Sequence, residues 1–328
     1  MIKRLEDIGF YTLNDERACN ASWDSQMQRC EMILTDKCNF NCAYCRGPRS
    51  EWKGSLDENM AMRTLAIWVK DGLKNVRFSG GEPLLYPKLT DLVTMADFCG
   101  VEMIAVSSNG SFPFDKYWNL AQAGVNDFSI SLDACCSSGC DTMSGREGSF
   151  ETIVSNIRML SKICYVSVGV VLNDKNSREA AKTIAFASSL GADDIRIISA
   201  AQDNDALFRI QKQLEGLSEE LLAKHPILRY RVRNILDSKR NVRGITDSDC
   251  HKCHLMKDDS VVAGGYHFPC VIHMREHGEP IGKVDWNMRE DRRKFFELHD
   301  THLDPICKAN CLDVCIDHNN KCEAFLND

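Results

Sequence analysis

Between about residues 30 and 200, short apolar runs alternate with amphipathic stretches, and this alternation restricts the fold more than any other feature. Runs of strand length fall at Glu31–Thr35, Asn75–Ser79, Glu102–Ser107, Asp127–Leu132, Val166–Leu172 and Asp194–Ile198. Stretches with helical spacing lie between them, near 56–72, 87–99, 115–123, 149–163 and 176–190. Strand followed by helix, six times over, predicts a parallel sheet with right-handed crossovers. A complete barrel needs eight such units. The expected class is therefore α/β: a partial (β/α)6, TIM-like barrel of parallel strands, with its chemistry at the strands' carboxyl ends. Ser55 is the expected N-cap of the first helix, with Asp57 and Glu58 in its first turn. Gly100 and Gly191 are expected to stop the helices before them.

The chain has 17 cysteines in 328 residues. No apolar stretch approaches the roughly 20 residues that span a bilayer. Met1–Asp7 lacks the apolar core of a signal peptide. The expected location is cytoplasmic, where disulfides are kept reduced and clustered cysteines point to metal or redox chemistry. They do cluster, at Cys38/42/45, Cys135/136/140, Cys250/253/270 and Cys307/311/315/322. Cys19, Cys30, Cys99 and Cys164 stand apart and are expected to be small buried hydrophobes without a role. A net charge of −7 argues against a dedicated nucleic-acid binder. The exception is the basic run from Lys224 to Arg243, read as a solvated basic helix or as a contact for a phosphorylated or carboxylated substrate.

Cys38, Cys42 and Cys45 lie just past the first strand, as C-x3-C-x2-C. A [4Fe–4S] cluster takes four ligands, so three thiolates leave one iron open to chelate a small molecule. A structural zinc site is the bland alternative, but three ligands do not close it. One strand later comes Gly80-Gly81-Glu82-Pro83, where paired glycines admit a ligand close to the backbone and Glu82 suits a cationic amine.

Together these segments resemble the radical S-adenosylmethionine (SAM) superfamily over roughly residues 30–200. The cysteine loop, with Tyr44 before its last cysteine, looks like the superfamily signature, and Gly80–Pro83 looks like its GGEP motif for the SAM amino group. Ser108-Asn109-Gly110 resembles the TNG-type turn. Ser129, Ser131 and Asp133 resemble the strand-four segment near the SAM ribose and carboxylate, although Ala134 replaces a glycine. Asn173 fits the polar position after strand five. The resemblance implies a [4Fe–4S] cluster on Cys38, Cys42 and Cys45 whose open iron chelates SAM. It also implies one-electron cleavage to methionine and a 5′-deoxyadenosyl radical, and hydrogen abstraction from a substrate C–H bond. An external electron donor, a flavodoxin, ferredoxin or reductase, goes with it.

The C-terminal cysteines resemble a SPASM or twitch domain. Cys253, Gly265 and Cys270 fit C-x11-G-x4-C, Cys250 adds a thiolate upstream, and Val271–Val284 looks like that family's hairpin. The second half, Cys307-x3-Cys311-x3-Cys315-x6-Cys322, departs from the full pattern. Seven thiolates do not supply two clusters with four each, so one auxiliary Fe–S cluster is expected on Cys250, Cys253, Cys270 and Cys315. Cys311 is the alternative fourth ligand, and a second cluster with an incomplete set from Cys307, Cys311 and Cys322 stays open. A helix would put Cys307, Cys311 and Cys315 on one face. Zinc, helped by His251 and His254, is the alternative for this domain. His267, His273, His277, Trp286 and His299 are pocket candidates that spacing does not separate. The expected organisation is an N-terminal extension over 1–29, the radical core over 30–200, a helical connector over 201–249 and the cysteine-rich domain over 250–328.

The leading expectation is an oxidoreductase in which an auxiliary cluster accepts the second electron from a substrate radical. The substrate would be a ribosomal peptide or a small natural product such as a sugar or aminocyclitol. The stretch before the first strand is shorter than a typical leader-binding domain, which weakens the peptide reading unless a separate protein carries the leader and puts a small polar substrate on an equal footing with it. The alternative is a redox-neutral epimerase using Cys135, Cys136 or Cys140 as a thiol hydrogen donor, against the blander reading of a cysteine-rich loop. A non-catalytic Fe–S electron carrier or binding protein is the third reading, and the Gly80–Pro83 motif argues against it.

Overall fold

A computed structural model describes residues 15–47, 53–237 and 240–327. Residues 1–14 of the 1–29 extension, Met1–Asp7 among them, and Lys239 of the basic run lie outside the described residues. The described strands are β1 Arg29–Ile33, β2 Asn75–Ser79, β3 Met103–Ser108, β4 Asp127–Ser131, β5 Tyr165–Leu172, β6 Asp194–Ser199, β7 Asp259–Ala263, β8 Tyr266–Phe268 and β9 Gly282–Lys283. The chain is an α/β protein with a mostly parallel sheet. Its described residues divide into two compact units: 38–46 with 105–237 and 240–242, and 15–37 with 47, 53–104 and 243–327.

In the first unit β3, β4, β5 and β6 pair in parallel, in that order. Their interiors are rich in valine and isoleucine; Phe128, Ile130, Val166, Val168, Ile195 and Ile197 are all buried, as strands covered on both faces require. Helix Phe150–Leu160 buries Ile153, Val154, Ile157 and Leu160, spacings of three and four that make one apolar face. Four helices between Ala206 and Leu236 occupy the expected connector. The last, Pro226–Leu236, begins with proline. Its first turn is held by Asp194, whose carboxylate accepts from Ile227 N–H at 2.9 Å and Leu228 N–H at 3.3 Å. Burial pushes Asp194 up to about 7, against the pull of those backbone donors. Arg231 in the basic run is itself buried on this helix, so the run is not a uniformly solvated face.

In the second unit β1 pairs in parallel with both β2 and β7, and β8 and β9 continue antiparallel. The hairpin is thus β7–β8, turning at Gly264-Gly265, whose φ of 58° and 82° suits glycine. Val271–Val284 is not the hairpin: it opens as helix Val271–Arg275, because the Cys270 thiol accepts from His273 N–H at 3.3 Å and caps that turn. Helix Glu58–Lys70 buries Ala61, Leu65 and Trp68. Its N-cap is Asp57, accepting from Met60 N–H at 3.0 Å, not Ser55, which is bridged to Thr35 by a 3.1 Å hydroxyl contact. The expected helix stops hold, with Gly100 at φ 77° and Gly191 at φ 93°. A buried ion network closes this unit. Arg17 reaches Asp258 and Asp259 at 2.6 Å each, and Arg29 reaches Asp259 at 2.6 Å.

Candidate functional site

The cysteine loop belongs to the first unit and is pinned at several points. Asn41 N–H donates to Ser144 O at 2.9 Å. Gly145 must be glycine, because at φ 64° an added Cβ would run into the Asn41 carbonyl. Arg146 donates to Asn39 O at 3.2 Å and its guanidinium lies over the Phe40 ring at 5.9 Å. Asn39 bonds Asn109 at 2.7 Å and Ser111 at 2.8 Å, tying the Ser108–Gly110 turn to the loop. Asn109 also approaches the Cys38 sulfur at 3.9 Å. Ser108 closes its own turn by accepting from Gly110 N–H at 3.1 Å.

Cys38 and Cys45 are exposed and Cys42 is half-buried, and none of the three is in a disulfide. Burial, then Asp133, pushes Cys42 up to about 12. Tyr44 OH donates to Asp133, which also accepts from Val171 N–H at 2.7 Å. Burial pushes Asp133 up to about 6 despite both bonds. Asn176 secures the same corner by donating to Asp133 O at 2.9 Å and Val171 O at 2.7 Å. Ser129 accepts from Arg196, Ser131 is exposed, and Asn173 turns its carboxamide to Lys175 N–H at 2.9 Å. Asn39, Arg146, Asn176 and Arg196 were not singled out by the sequence; Asn39 alone carried a signal, its position inside the loop.

Gly80–Pro83 lies in the second unit against the chain that leaves β1. An added Cβ on Gly80 would stand 2.5 Å from Thr35 O, and one on Gly81 would strike Lys37 O. Gly81 N–H donates to Thr35 O at 2.7 Å and Glu82 N–H to Lys37 O at 2.8 Å. The Glu82 carboxylate is buried and accepts from Leu84 N–H at 3.1 Å, starting the turn Pro83–Leu85. A cavity of about 300 Å³ opens beside this strand end, lined by Leu34, Asp36, Ser55, Asp57, Met60 and Gly265.

Cys136 lines a separate cavity of about 230 Å³ with Asp133, Asn176 and Glu179. Cys135 lies 4.0 Å from Glu179, and Cys140 is buried 4.0 Å from Ser149. Cys30 is buried as expected; Cys19 and Cys99 are exposed.

The C-terminal thiols fall into two sets. Burial pushes Cys253, Cys270, Cys307, Cys311 and Cys315 up, and the charge of neighbouring thiolates adds to the rise at Cys253, Cys307, Cys311 and Cys315. Arg29 donates to the Cys315 thiol, opposing that rise. Cys250 is placed elsewhere, with His254 and Glu323. Cys322 is buried 3.4 Å from His318. Cys307, Cys311 and Cys315 do not share one helix: Pro305–Asn310 ends at Cys311, whose ψ of 135° breaks the helical path before Asp313–Asn327. His273 and His299 both bond Asp304, at 3.2 and 2.9 Å. Burial pushes Asp304 up, but these two hydrogen bonds prevail and hold it well below the usual carboxylate range. His267 is buried with neither ring nitrogen hydrogen-bonded, His277 sits at φ 61°, and Trp286 is exposed under Lys70. Among the described residues, the donor triads tight enough for a single ion are Cys250–His254–Glu323 and His299–Asp304–Cys307.

The α/β fold thus carries a three-thiol loop after its first strand and a glycine pair after its second. Residues 32–187 match the radical SAM superfamily model. Among curated relatives, a Metallosphaera sedula protein named "Probable GTP 3',8-cyclase" is 28% identical over 171 residues, 51% of this chain and 54% of the relative. A Saccharolobus solfataricus protein of the same name is 27% identical over 219 residues, covering 63% and 70%. The chain thus spans about half of the first relative's length. Among solved structures, anSMEcpe with bound AdoMet aligns at TM-score 0.61 and 13% identity over 91% of this chain and 93% of that one. Streptococcus suis SuiB bound to precursor peptide SuiA aligns at 0.57 and 13%, over 85% and 65%. At such identity these two establish the fold alone. No helix among the described residues is long and apolar enough to cross a membrane.

Proposed function

We propose that the protein is a radical SAM enzyme that carries out an oxidative modification of its substrate, with one auxiliary Fe–S cluster in its cysteine-rich region. The observation that carries this reading is the donor chemistry: three thiols within eight residues of one pinned loop, followed by two glycines whose backbone packs too closely on the chain leaving β1 to admit a Cβ. The loop thiols are not among the single-ion triads, which suits a cluster whose ligands sit on different irons. Cys38, Cys42 and Cys45 would hold the reactive cluster, and Gly80–Pro83 with Ser129, Ser131, Asp133 and Asn173 would serve SAM. Cys253, Cys270, Cys311 and Cys315 would hold the auxiliary cluster, with Cys307 beside them. When bound, these groups supply a hydrogen-abstracting radical and a sink for the remaining electron.

The chain's own residues do the positioning. Tyr44 and Asp133 tie the loop beside its last cysteine to the end of β4, Asn39 and Asn109 fix it beside its first, and Asn176 holds the Asp133 backbone in place. Anaerobic reconstitution with SAM and dithionite tests the reading. Formation of 5′-deoxyadenosine is expected, and its absence overturns it.

The names of the curated relatives favour a second reading of the substrate, a purine nucleoside triphosphate in place of a peptide or sugar. GTP would then stimulate 5′-deoxyadenosine formation; no stimulation sinks this reading while leaving the radical chemistry standing.

A further inference from the structure

We propose that Cys250, His254 and Glu323 form a mononuclear divalent-metal site, suited to zinc and separate from the thiols assigned to the auxiliary cluster. Its ligand atoms all lie within 4.8 Å of one another. His254 Nε2 is 2.9 Å from Glu323 Oε2, and Cys250 Sγ is 3.5 Å from the same oxygen. Around a tetrahedral zinc with ordinary Zn–S, Zn–N and Zn–O bonds, neighbouring donors stand about 3.3–3.7 Å apart. The observed triad needs only small adjustments to accept the ion. One thiolate, one carboxylate and one neutral imidazole carry two negative charges, which a divalent cation balances. Three protein ligands leave a fourth position for water.

The triad is held by groups outside it. Asn320 accepts from Cys250 N–H at 2.7 Å and donates to Asp249 at 2.9 Å. Asn319 accepts from Leu255 N–H at 3.4 Å. Positions 319, 320 and 323 share one face of helix Asp313–Asn327. The face that grips the Cys250 loop therefore also presents Glu323 to it. Thr301 donates to Cys250 O at 2.9 Å. The nearby Lys252 ammonium is committed to the carbonyls of Phe296, Glu297 and His299 at 2.8–3.0 Å and does not compete. His254 is almost fully buried, whereas the Glu323 side chain is 46% exposed, which gives an ion a way in. The spacing Cys250-x2-Cys253 looks like two ligands of one centre. In the fold the two thiols have different neighbours: Cys250 has His254 and Glu323, whereas Cys253 has Cys270 and Cys315.

The test uses the full chain, reconstituted with iron and sulfide without oxygen, stripped of loose metal and then titrated with zinc. We expect one tightly bound zinc per chain, with iron content unchanged. Cys250→Ser and Glu323→Gln should each weaken zinc binding more than about tenfold while keeping all iron. Cobalt in place of zinc should give a thiolate-to-metal absorption band that Cys250→Ser removes. A Cys250→Ser chain that loses one cluster's iron overturns the proposal, as does zinc binding equally tight in wild type and Glu323→Gln. Neither readout depends on SAM cleavage, so failure here is distinct from failure of the radical reading.

Discussion

The two thiol centres are built in opposite ways. The loop Cys38–Cys45 draws three thiols from eight consecutive residues and leaves two of them exposed. The C-terminal group draws Cys253, Cys270, Cys307, Cys311 and Cys315 from a 63-residue span and holds all five half-buried. A local loop can be complete in its ligands before the rest of the chain is in place. A dispersed set exists only once helices and strands have packed. The first arrangement suits a centre that must meet a small molecule, and the second suits a shielded centre that exchanges only electrons.

The largest effect expected from breaking this contrast is on chemistry. Changing Cys38, Cys42 and Cys45 together to alanine should abolish 5′-deoxyadenosine formation while the C-terminal region keeps its iron; parallel iron and nucleoside assays read both. Next comes stability in the dispersed unit. Arg17→Ala strands Asp258, whose side chain is 1% exposed and 2.6 Å from the guanidinium. Breaking such a buried pair costs about 3–5 kcal/mol, to be measured by denaturant unfolding. Gly81→Ala pushes a methyl group into Lys37 O, an overpacking cost of about 1–3 kcal/mol. It should also weaken SAM binding measured by calorimetry, and unchanged affinity would count against the cradle.

The last expected effect concerns Asp194, in the unit that carries the loop. Burial raises its folded pKa from 3.8 to about 7. Between those values the folded chain holds the proton more tightly than the unfolded one. Stability from this group is full below about pH 4 and falls as pH rises toward 7, by at most about 1.4 kcal/mol per pH unit. Asp194→Asn should flatten that slope, read as unfolding midpoints at pH 5.5 and 7.5.

Legibility followed the same contrast. β2 was placed to the residue, and the remaining core strands to within two residues, because a buried parallel strand needs a continuous apolar run. The loop and the glycine cradle were readable since each is contiguous. The cap at Asp57 was missed in favour of Ser55 because both residue types cap helices, and the bridge to Thr35 that occupies Ser55 is non-local. The hairpin was placed too late, since Val271–Arg275 has apolar residues compatible with either a strand or a short helix. The tertiary contacts of Cys270 decided it. The supposed helical stripe of Cys307, Cys311 and Cys315 failed because spacing of four fits a helix only where the helix continues.

Sequence by itself determined that this chain would form parallel β/α units with a three-thiol loop after the first strand. Those properties depend on apolar periodicity and on residues adjacent in the chain. Only the tertiary structure decided which C-terminal thiols come together, that Cys250 parts from Cys253 to join His254 and Glu323, and that Asn39, Asn176 and Arg146 hold the loop. Partners distant in sequence meet through packing, and packing leaves no periodic trace in the sequence.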